Sequence, residues 1–182
     1  FIQHRGHSIY LNFNGDIKKL ILELMGSPNG CANGMGGSAS IQSVEQNIYG
    51  HDGLMGSHGP IAVGACYANK KFTLCFAGDA AAEEDYVLGA LGWASTKKLP
   101  LLVVVEDNNY SILTEKKVRR NWEMENVAKA FKMKGFTLII GKEIFQVRAT
   151  IFSPLFGPLL SPHILDKAEL KELGFFPGNY TE

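Results

Sequence analysis

The chain contains 182 residues, and its 18 basic and 18 acidic side chains give a formal net charge of zero at neutral pH. The length is sufficient for a domain with a buried core, the balanced charge disfavours a nucleic-acid-binding surface, and no apolar run is long enough to span a bilayer. Three cysteines without C-x-x-C spacing disfavour a metal or disulfide framework and favour a reducing compartment.

The sequence opens with Phe1 rather than Met and shows no signal-peptide pattern, so we expect a processed, truncated or partly represented protein. Residues 1–15 are expected to be a polar opening followed by an extended apolar–polar mixture. Within it, the Arg5 guanidinium could bind a phosphate bidentately, and His4 and His7 could donate to phosphate oxygens or shuttle a proton. From the residue types alone, surface positions for these three are the more common outcome.

A structural amphipathic helix is predicted over Asp16–Met25, with Gly26 as its stop. Its apolar stripe consists of Ile17, Leu20, Ile21 and Leu24.

Residues 26–59 are rich in glycine and polar residues and predict a long loop. A loop of this length in a compact domain is usually functional or disordered. A flexible linker is the alternative, but linkers seldom carry apolar anchors. The anchors in this loop are Met35, Ile41, Ile48, Leu54 and Met55. We therefore expect the loop to pack around a ligand.

The stretch from Lys71 to Ile112 predicts strand, tight turn, helix, strand and polar turn, preceded by a short apolar core helix. The predicted elements are the helix Pro60–Asn69, the strand Phe72–Phe76, the helix Glu83–Lys98 and the strand over residues 101–105. The last strand is apolar at every residue, which is typical of a parallel sheet covered by helices on both faces. The sequence therefore predicts an α/β fold with a parallel sheet flanked by helices.

Polar residues follow both predicted strands at their carboxyl ends, where ligands bind in open α/β sheets. Gly78 and Asp79 follow the first strand, and Asp107 and Asn108 follow the second. The Asp79 carboxylate and the Asn108 side-chain carbonyl are hard oxygen ligands, which suit Mg²⁺ held together with substrate phosphates. The small residues 80–82 and the free N–H groups of the turn or helix start could face a phosphate. A buried turn with capping Asp and Asn residues is an equally common interpretation.

Asn108 follows Asp79 by 29 residues, and this arrangement resembles the thiamine diphosphate-binding motif. Further stretches occur in the order typical of the alpha subunit of 2-oxoacid dehydrogenases, the decarboxylating first component. They are His4-Arg5-Gly6-His7, Gly34-Met35-Gly36-Gly37-Ser38, and Gly53-Leu54-Met55-Gly56 with Pro60-Ile61-Ala62-Val63-Gly64-Ala65. The resemblance covers residues 1 to about 135 and implies the thiamine diphosphate-binding (diphosphate-domain) fold.

The resemblance implies two cofactors, thiamine diphosphate and Mg²⁺, and assigns residues to each. The implied metal ligands are Asp79, Asn108 and the backbone carbonyl of Tyr110. The implied cofactor-binding residues are His4, Arg5, Gly53, Met55, Gly78, Asp79, Ala80, Ala81, Asn108 and Tyr110. Met55 corresponds to the apolar residue that supports the thiazolium ring, and Gly53 corresponds to a contact with the aminopyrimidine. His7 is the candidate catalytic residue, as a proton shuttle.

The implied reaction is the oxidative decarboxylation of a 2-oxoacid, in which the cofactor stores the resulting carbanion. The family pattern also implies a beta subunit that carries the pyrimidine-binding domain, an alpha2–beta2 assembly, and an acyltransferase bearing a lipoyl group as a further partner. The expected location is the cytoplasm, or the mitochondrial matrix or plastid of a eukaryote.

Two other classes stay open. A non-catalytic relative is favoured by Ala80, where most relatives have Gly, by Gly37-Ser38-Ala39-Ser40 in place of Gly-Ser-Met-His, and by a late His loop that we cannot place. Another thiamine diphosphate enzyme, such as a transketolase-like protein, would share Asp79 and Asn108 but not the upstream motifs in this order.

The rest of the chain is less informative. Residues 111–121 predict either a mobile loop near the substrate or a solvated run of charge, and Glu83, Glu84 and Asp85 predict a solvated helix start or a subunit contact. A helix over Trp122–Met133 and a third strand over Phe136–Ile140 follow. We expect residues 1–140 to form the cofactor-binding domain and residues 141–182, with a short helix at Asp166–Leu173, to extend it.

Overall fold

The computed structural model describes residues 1–4, 6–140 and 147–153. The helices are α1 (His7–Asn12), α2 (Ile17–Leu24), α3 (His58–Asn69), a 3-10 turn (Ala81–Glu83), α4 (Asp85–Thr96), α5 (Lys116–Arg119) and α6 (Met124–Ala130). The strands are β1 (Thr73–Gly78), β2 (Leu101–Asp107), β3 (Tyr110–Ser111), β4 (Thr114–Glu115), β5 (Lys134–Ile140) and β6 (Val147–Ser153).

The main sheet has the order β1-β2-β6-β5. Strands β1 and β2 pair in parallel, from Thr73 opposite Leu101 to Gly78 opposite Glu106, so the predicted α/β class and the parallel pairing of its first two strands are confirmed. The sheet as a whole is mixed, which corrects the expectation of a parallel sheet, because β6 is antiparallel to both β2 and β5. Only residues 141–146 separate β5 from β6, and a parallel crossover needs a dozen or more residues.

The two faces of β1 pack against different apolar clusters, and one face is buried while the other is half-buried. Cys75 and Ala77 face the larger cluster, which α3, α4 and α6 also enter. Phe76 points the other way, because successive side chains of a strand alternate between faces, and packs against a smaller cluster built around Tyr10 and Ile41. The smaller cluster ties α1, α2 and the glycine-rich loop to the sheet.

The first residues of the chain lie along the free edge of β1. The Phe1 nitrogen donates to the Leu74 carbonyl at 2.7 Å, and the Phe76 N–H donates to the Phe1 carbonyl at 3.0 Å. Gln3 then reaches across the strand ends, where its amide donates to the Glu106 carboxylate. This pairing brings His4 to the carboxyl edge of the sheet.

The expectation that residues 1–15 are extended after the polar opening is wrong, because α1 is helical and buries Ile9 and Tyr10. Six residues are too few for a helical period to show in the sequence. Helix α2 is confirmed, and its Asp16 cap accepts the Lys18 N–H at 2.7 Å. Its predicted stripe is only partly buried, since Leu20 is 6% exposed and Ile17 is 60% exposed.

The other predicted helices differ from the observed ones only at their ends. Helix α3 starts two residues before Pro60, which therefore lies in the first turn, where a missing N–H costs no helical hydrogen bond. No helix of the described residues is long and apolar enough to cross a membrane. Strand β6 belongs to the predicted C-terminal extension, whereas residues 141–146 and 154–182, with the predicted helix Asp166–Leu173, lie outside the described residues. The division into two regions stays a prediction.

Candidate functional site

The site is built at the carboxyl ends of β1 and β2. The Asp79 N–H donates to the Glu106 carbonyl at 3.1 Å, which continues the ladder one residue past Gly78. Asp79 therefore lies beside Asp107, and Asn108 is the next residue along. The structure thus brings Asp79 and Asn108 to one edge of the sheet, together with Ala80 and Ala81 of the following turn.

Ala80 adopts an ordinary right-handed backbone, with φ −73° and ψ −39°. A glycine is required only where φ is positive or a side chain would collide. The substitution of Ala for the Gly of most relatives therefore carries no backbone cost here, and this departure does not argue for a degenerate site.

The loop around Gly53 and Met55 packs onto the same edge. A Cβ at Gly56 would lie 2.8 Å from the Ala81 carbonyl oxygen, and its φ of +82° also favours glycine. The Tyr86 hydroxyl donates to the Met55 carbonyl. Gly53 has a φ of +105° and the Met55 side chain is 42% exposed, so both residues lie on an open surface next to the 3-10 turn.

The two histidines of the opening motif have different neighbours. The His4 ring lies 5.7 Å from the ring of His51, which precedes the Gly53 loop. The His7 Nε2 atom lies 3.1 Å from the Ser38 hydroxyl. The described contacts therefore connect His4 to the Gly53 loop and His7 to the glycine-rich loop. Arg5 lies outside the described residues.

Sequence reasoning missed the cations that cover this edge. The Arg119 guanidinium donates to the Asp79 carboxylate through Nη2 and to Glu83 through Nη1 at 2.7 Å. Arg120 donates from Nη1 to the Asp79 carbonyl and to Glu83, both at 3.0 Å. Burial raises the pKa of Glu83, and the guanidinium groups of Arg120 and Arg119 offset this only in part.

The neighbouring Asp107 is bound in the same way. The Lys116 ammonium lies 2.6 Å from the Asp107 carboxylate and 2.9 Å from that of Glu123, and Arg120 Nη2 lies 3.4 Å from Asp107. Burial would raise the pKa of Asp107, but the hydrogen bonds from Lys116 and the Asn109 N–H hold it below its usual range.

The alternative that residues 111–121 form a solvated run of charge is therefore wrong for Lys116, Arg119 and Arg120. The Arg120 side chain is 1% exposed and that of Lys116 is 11% exposed, whereas Lys117 is 79% exposed. The expectation of a solvated helix start is likewise wrong for Glu83, which lies within the network. The signal in the sequence was the basic run itself, which balances the acids at the ends of β1 and β2.

The donor set at this edge fits a magnesium ion bound together with a phosphorylated ligand. Asp79 supplies a carboxylate, and Asn108 supplies a carbonyl that accepts only the Tyr110 N–H, at 3.0 Å, among the described contacts. In the described part of the chain, no three His, Cys, Asp or Glu side chains are grouped to hold a metal. A metal here would therefore use amide, backbone and ligand oxygens beside the one carboxylate of Asp79, and such an oxygen set is usual for Mg²⁺.

A buried carboxylate that sequence reasoning also missed holds the glycine-rich loop. Glu23 of α2 is fully buried. Its Oε2 accepts the N–H groups of Ala32 and Gly34, and its Oε1 accepts those of Gly36 and Gly37, at 2.7 to 3.0 Å. Burial would raise the pKa of Glu23, but these four hydrogen bonds outweigh it and lower the pKa. These four hydrogen bonds, the Glu23 clamp, fix the backbone next to Ser38, whose hydroxyl contacts His7.

Comparison with known protein families identifies the family of the chain. The family described as "Dehydrogenase E1 component" matches residues 1–150. The chain belongs to this dehydrogenase E1 component family, and the resemblance drawn from its motifs is confirmed.

Curated relatives carry matching names. The pyruvate dehydrogenase E1 component subunit alpha-1, mitochondrial, of Oryza sativa is 36% identical over 116 residues, 61% of this chain and 30% of that protein. The pyruvate dehydrogenase E1 component subunit alpha of Rickettsia bellii is 32% identical over 143 residues, 74% of this chain and 43% of that protein. The matched part of the chain thus spans less than half the length of these relatives.

Proposed function

We propose that this chain is the cofactor-binding part of the alpha subunit of a 2-oxoacid dehydrogenase that uses thiamine diphosphate and Mg²⁺. The observation that carries the proposal is the position of Asp79 and Asn108, which lie past the carboxyl ends of two neighbouring parallel strands. Membership of the dehydrogenase E1 component family supports the reaction class.

Different residues bind the metal, the diphosphate and the rings of the cofactor. Asp79, Asn108 and the Tyr110 carbonyl hold Mg²⁺. Gly78, Ala80 and Ala81 leave room for the diphosphate, because small side chains let an anion approach the backbone, and His4 and Arg5 donate to it. Gly53 and Met55, on the loop that packs against Ala81, contact the two rings of the cofactor.

His7 serves as a proton shuttle whose ring is oriented by Ser38, 3.1 Å from Nε2. The Glu23 clamp acts through this pair, because it fixes the loop on which Ser38 lies. When bound, the cofactor would supply a nucleophilic thiazolium carbon and an acceptor for the electrons released by decarboxylation, and the protein would supply position and electrostatics.

The complete site needs a beta subunit that carries the pyrimidine-binding domain, in an alpha2–beta2 assembly, and the acyl product passes to an acyltransferase bearing a lipoyl group. The described edge is consistent with this division of labour, because the Gly53 loop and Met55 are exposed where a second subunit could close the site.

Reconstitution with a beta subunit from the same source tests the proposal. Pyruvate and branched-chain 2-oxoacids are supplied in turn, each together with an artificial electron acceptor. We expect release of carbon dioxide from at least one of these 2-oxoacids, and we expect the release to need thiamine diphosphate and Mg²⁺. Asp79→Asn should abolish turnover, whereas Asp85→Asn, which removes an exposed carboxylate six residues away, should leave it unchanged. A reconstituted assembly that binds both cofactors without turning over any 2-oxoacid would favour the non-catalytic relative.

A further inference from the structure

The Asp79 carboxylate already has a cation against it in the folded chain. Arg119 Nη2 donates to Asp79 Oδ2, and the two side chains are only 15% and 5% exposed. A buried carboxylate without a partner is costly, so the guanidinium stabilises Asp79 in the position from which a metal would be bound.

A divalent metal and the guanidinium compete for the same carboxylate. Among the described residues, the network contains four carboxylates, Asp79, Glu83, Asp107 and Glu123, and three cations, Lys116, Arg119 and Arg120, and so has one unit of negative charge in excess. A divalent ion on Asp79 would reverse the excess to one positive charge. Repulsion then favours the departure of the cation that shares its ligand.

The geometry of Arg119 indicates where its guanidinium would go. Nη1 is tied to Glu83 at 2.7 Å, while Nε is buried and has no hydrogen-bond partner among the described residues. Nε and Nη2 form one edge of the guanidinium fork, and this edge can bind two oxygens of a phosphate side by side. Nε is therefore free to bind a phosphate oxygen, and Nη2 also becomes free once a metal binds Asp79.

We propose that Arg119 holds the position of the metal on Asp79, and that metal binding releases Nη2 of Arg119 from Asp79, so that the Nε–Nη2 edge binds the diphosphate. This inference rests on the proposed function. It adds Arg119 to the diphosphate-binding residues. Glu83 keeps the guanidinium at the site during the exchange, and Arg120, which is bound to the Asp79 carbonyl and to Asp107, keeps the segment anchored.

Two titrations on the purified chain, with its beta subunit where needed, separate the parts of this inference. Binding of Mn²⁺ alone is followed by electron paramagnetic resonance, and binding of thiamine diphosphate at saturating Mn²⁺ by calorimetry. Relative to the parent, R119Q should bind Mn²⁺ about tenfold more tightly, since its competitor is gone, and the diphosphate about tenfold more weakly, since one charged fork edge is lost.

Matched variants exclude a general effect of charge. K117Q removes a cation from the same segment whose one ion pair with the described residues is to Glu115, and it should change neither affinity by more than about twofold. R119K keeps the charge but not the fork, so it should bind Mn²⁺ as the parent does and the diphosphate more weakly. Far-UV circular dichroism checks the fold, and R119K carries the test if R119Q does not fold.

Either titration can overturn the inference. If the parent binds both ligands and R119Q binds Mn²⁺ no more tightly, Arg119 does not hold the metal position, and the proposed function still stands. If R119Q binds the diphosphate as well as the parent does, the transfer to the diphosphate is wrong. A parent that binds neither ligand, even with its beta subunit, refutes the proposed function and the inference together.

Discussion

Replacing Glu23 with Gln tests whether one buried carboxylate holds the glycine-rich loop. In the parent, two carboxylate oxygens accept four backbone N–H groups at 2.7 to 3.0 Å. Glutamine keeps one acceptor oxygen and turns an NH₂ group toward the other two donors. Hydrogen bonds to a charged group contribute about 1.5–3 kcal/mol each, so the loss of two should lower the free energy of unfolding by about 3–6 kcal/mol. That is a large share of the roughly 5–15 kcal/mol typical of a domain.

Urea unfolding followed by circular dichroism measures this loss. Glu45→Gln is the matched control, because Glu45 contacts Lys19 with a carboxylate that is 64% exposed, and it should change stability by less than about 1 kcal/mol. The folded-state pKa of Glu23 is lowered, so its contribution is present above the unfolded pKa of about 4.3 and is lost as the pH falls below it. The Gln variant should lose that acid-side dependence. Equal stability of the two variants would refute the clamp.

Further predictions follow from single contacts. Gly56→Ala should destabilise the protein by about 1–3 kcal/mol, because residue 56 has a positive φ and a Cβ there would meet the Ala81 carbonyl oxygen. Gly64→Ala should stabilise the protein by about 0.5–1 kcal/mol, because Gly64 lies in helix α3 with open space around it. The urea unfolding midpoints of the two variants measure both effects. Lys116→Met removes the nearer of two cations from the buried Asp107 carboxylate and should cost about 1.5–3 kcal/mol, whereas Lys117→Met should cost less than about 1 kcal/mol. Burial lowers the pKa of His58, so stability should fall as the pH drops below about 6.5, and unfolding midpoints of His58→Gln should lack this slope.

The central part of the fold could be predicted from the sequence because its signals are local. The apolar run over residues 101–105 predicted the parallel pairing of β1 and β2, which the structure confirms. The position of strand β6 between β2 and β5 could not be predicted, because β6 pairs with β2, a strand about 40 residues earlier in the chain, and no local pattern records such a pairing. Helix α1 was missed because it is too short to show a period.

The position of Asp79 and Asn108 at one edge of the sheet could be predicted from the strands that precede them, and their role as metal ligands stays a prediction. The partners of buried charges were missed, because charged residues are expected on the surface unless a partner is known. Glu23 lies on a helix with an ordinary amphipathic pattern, and its four partners are backbone N–H groups, which leave no mark in the sequence. Arg119 contacts Asp79 across 40 residues, a distance over which no local pattern extends.

Binding of thiamine diphosphate, titrated by calorimetry with and without Mg²⁺, tests the central claim most directly. The account predicts that the chain, with its beta subunit where needed, binds thiamine diphosphate only with Mg²⁺, and that Asp79→Asn weakens binding by at least about a hundredfold, as expected when a charged metal ligand is lost. Asp85→Asn should bind as the parent does. Binding that is equally tight without Mg²⁺, or in Asp79→Asn, would contradict the assignment of this edge as the diphosphate–metal site.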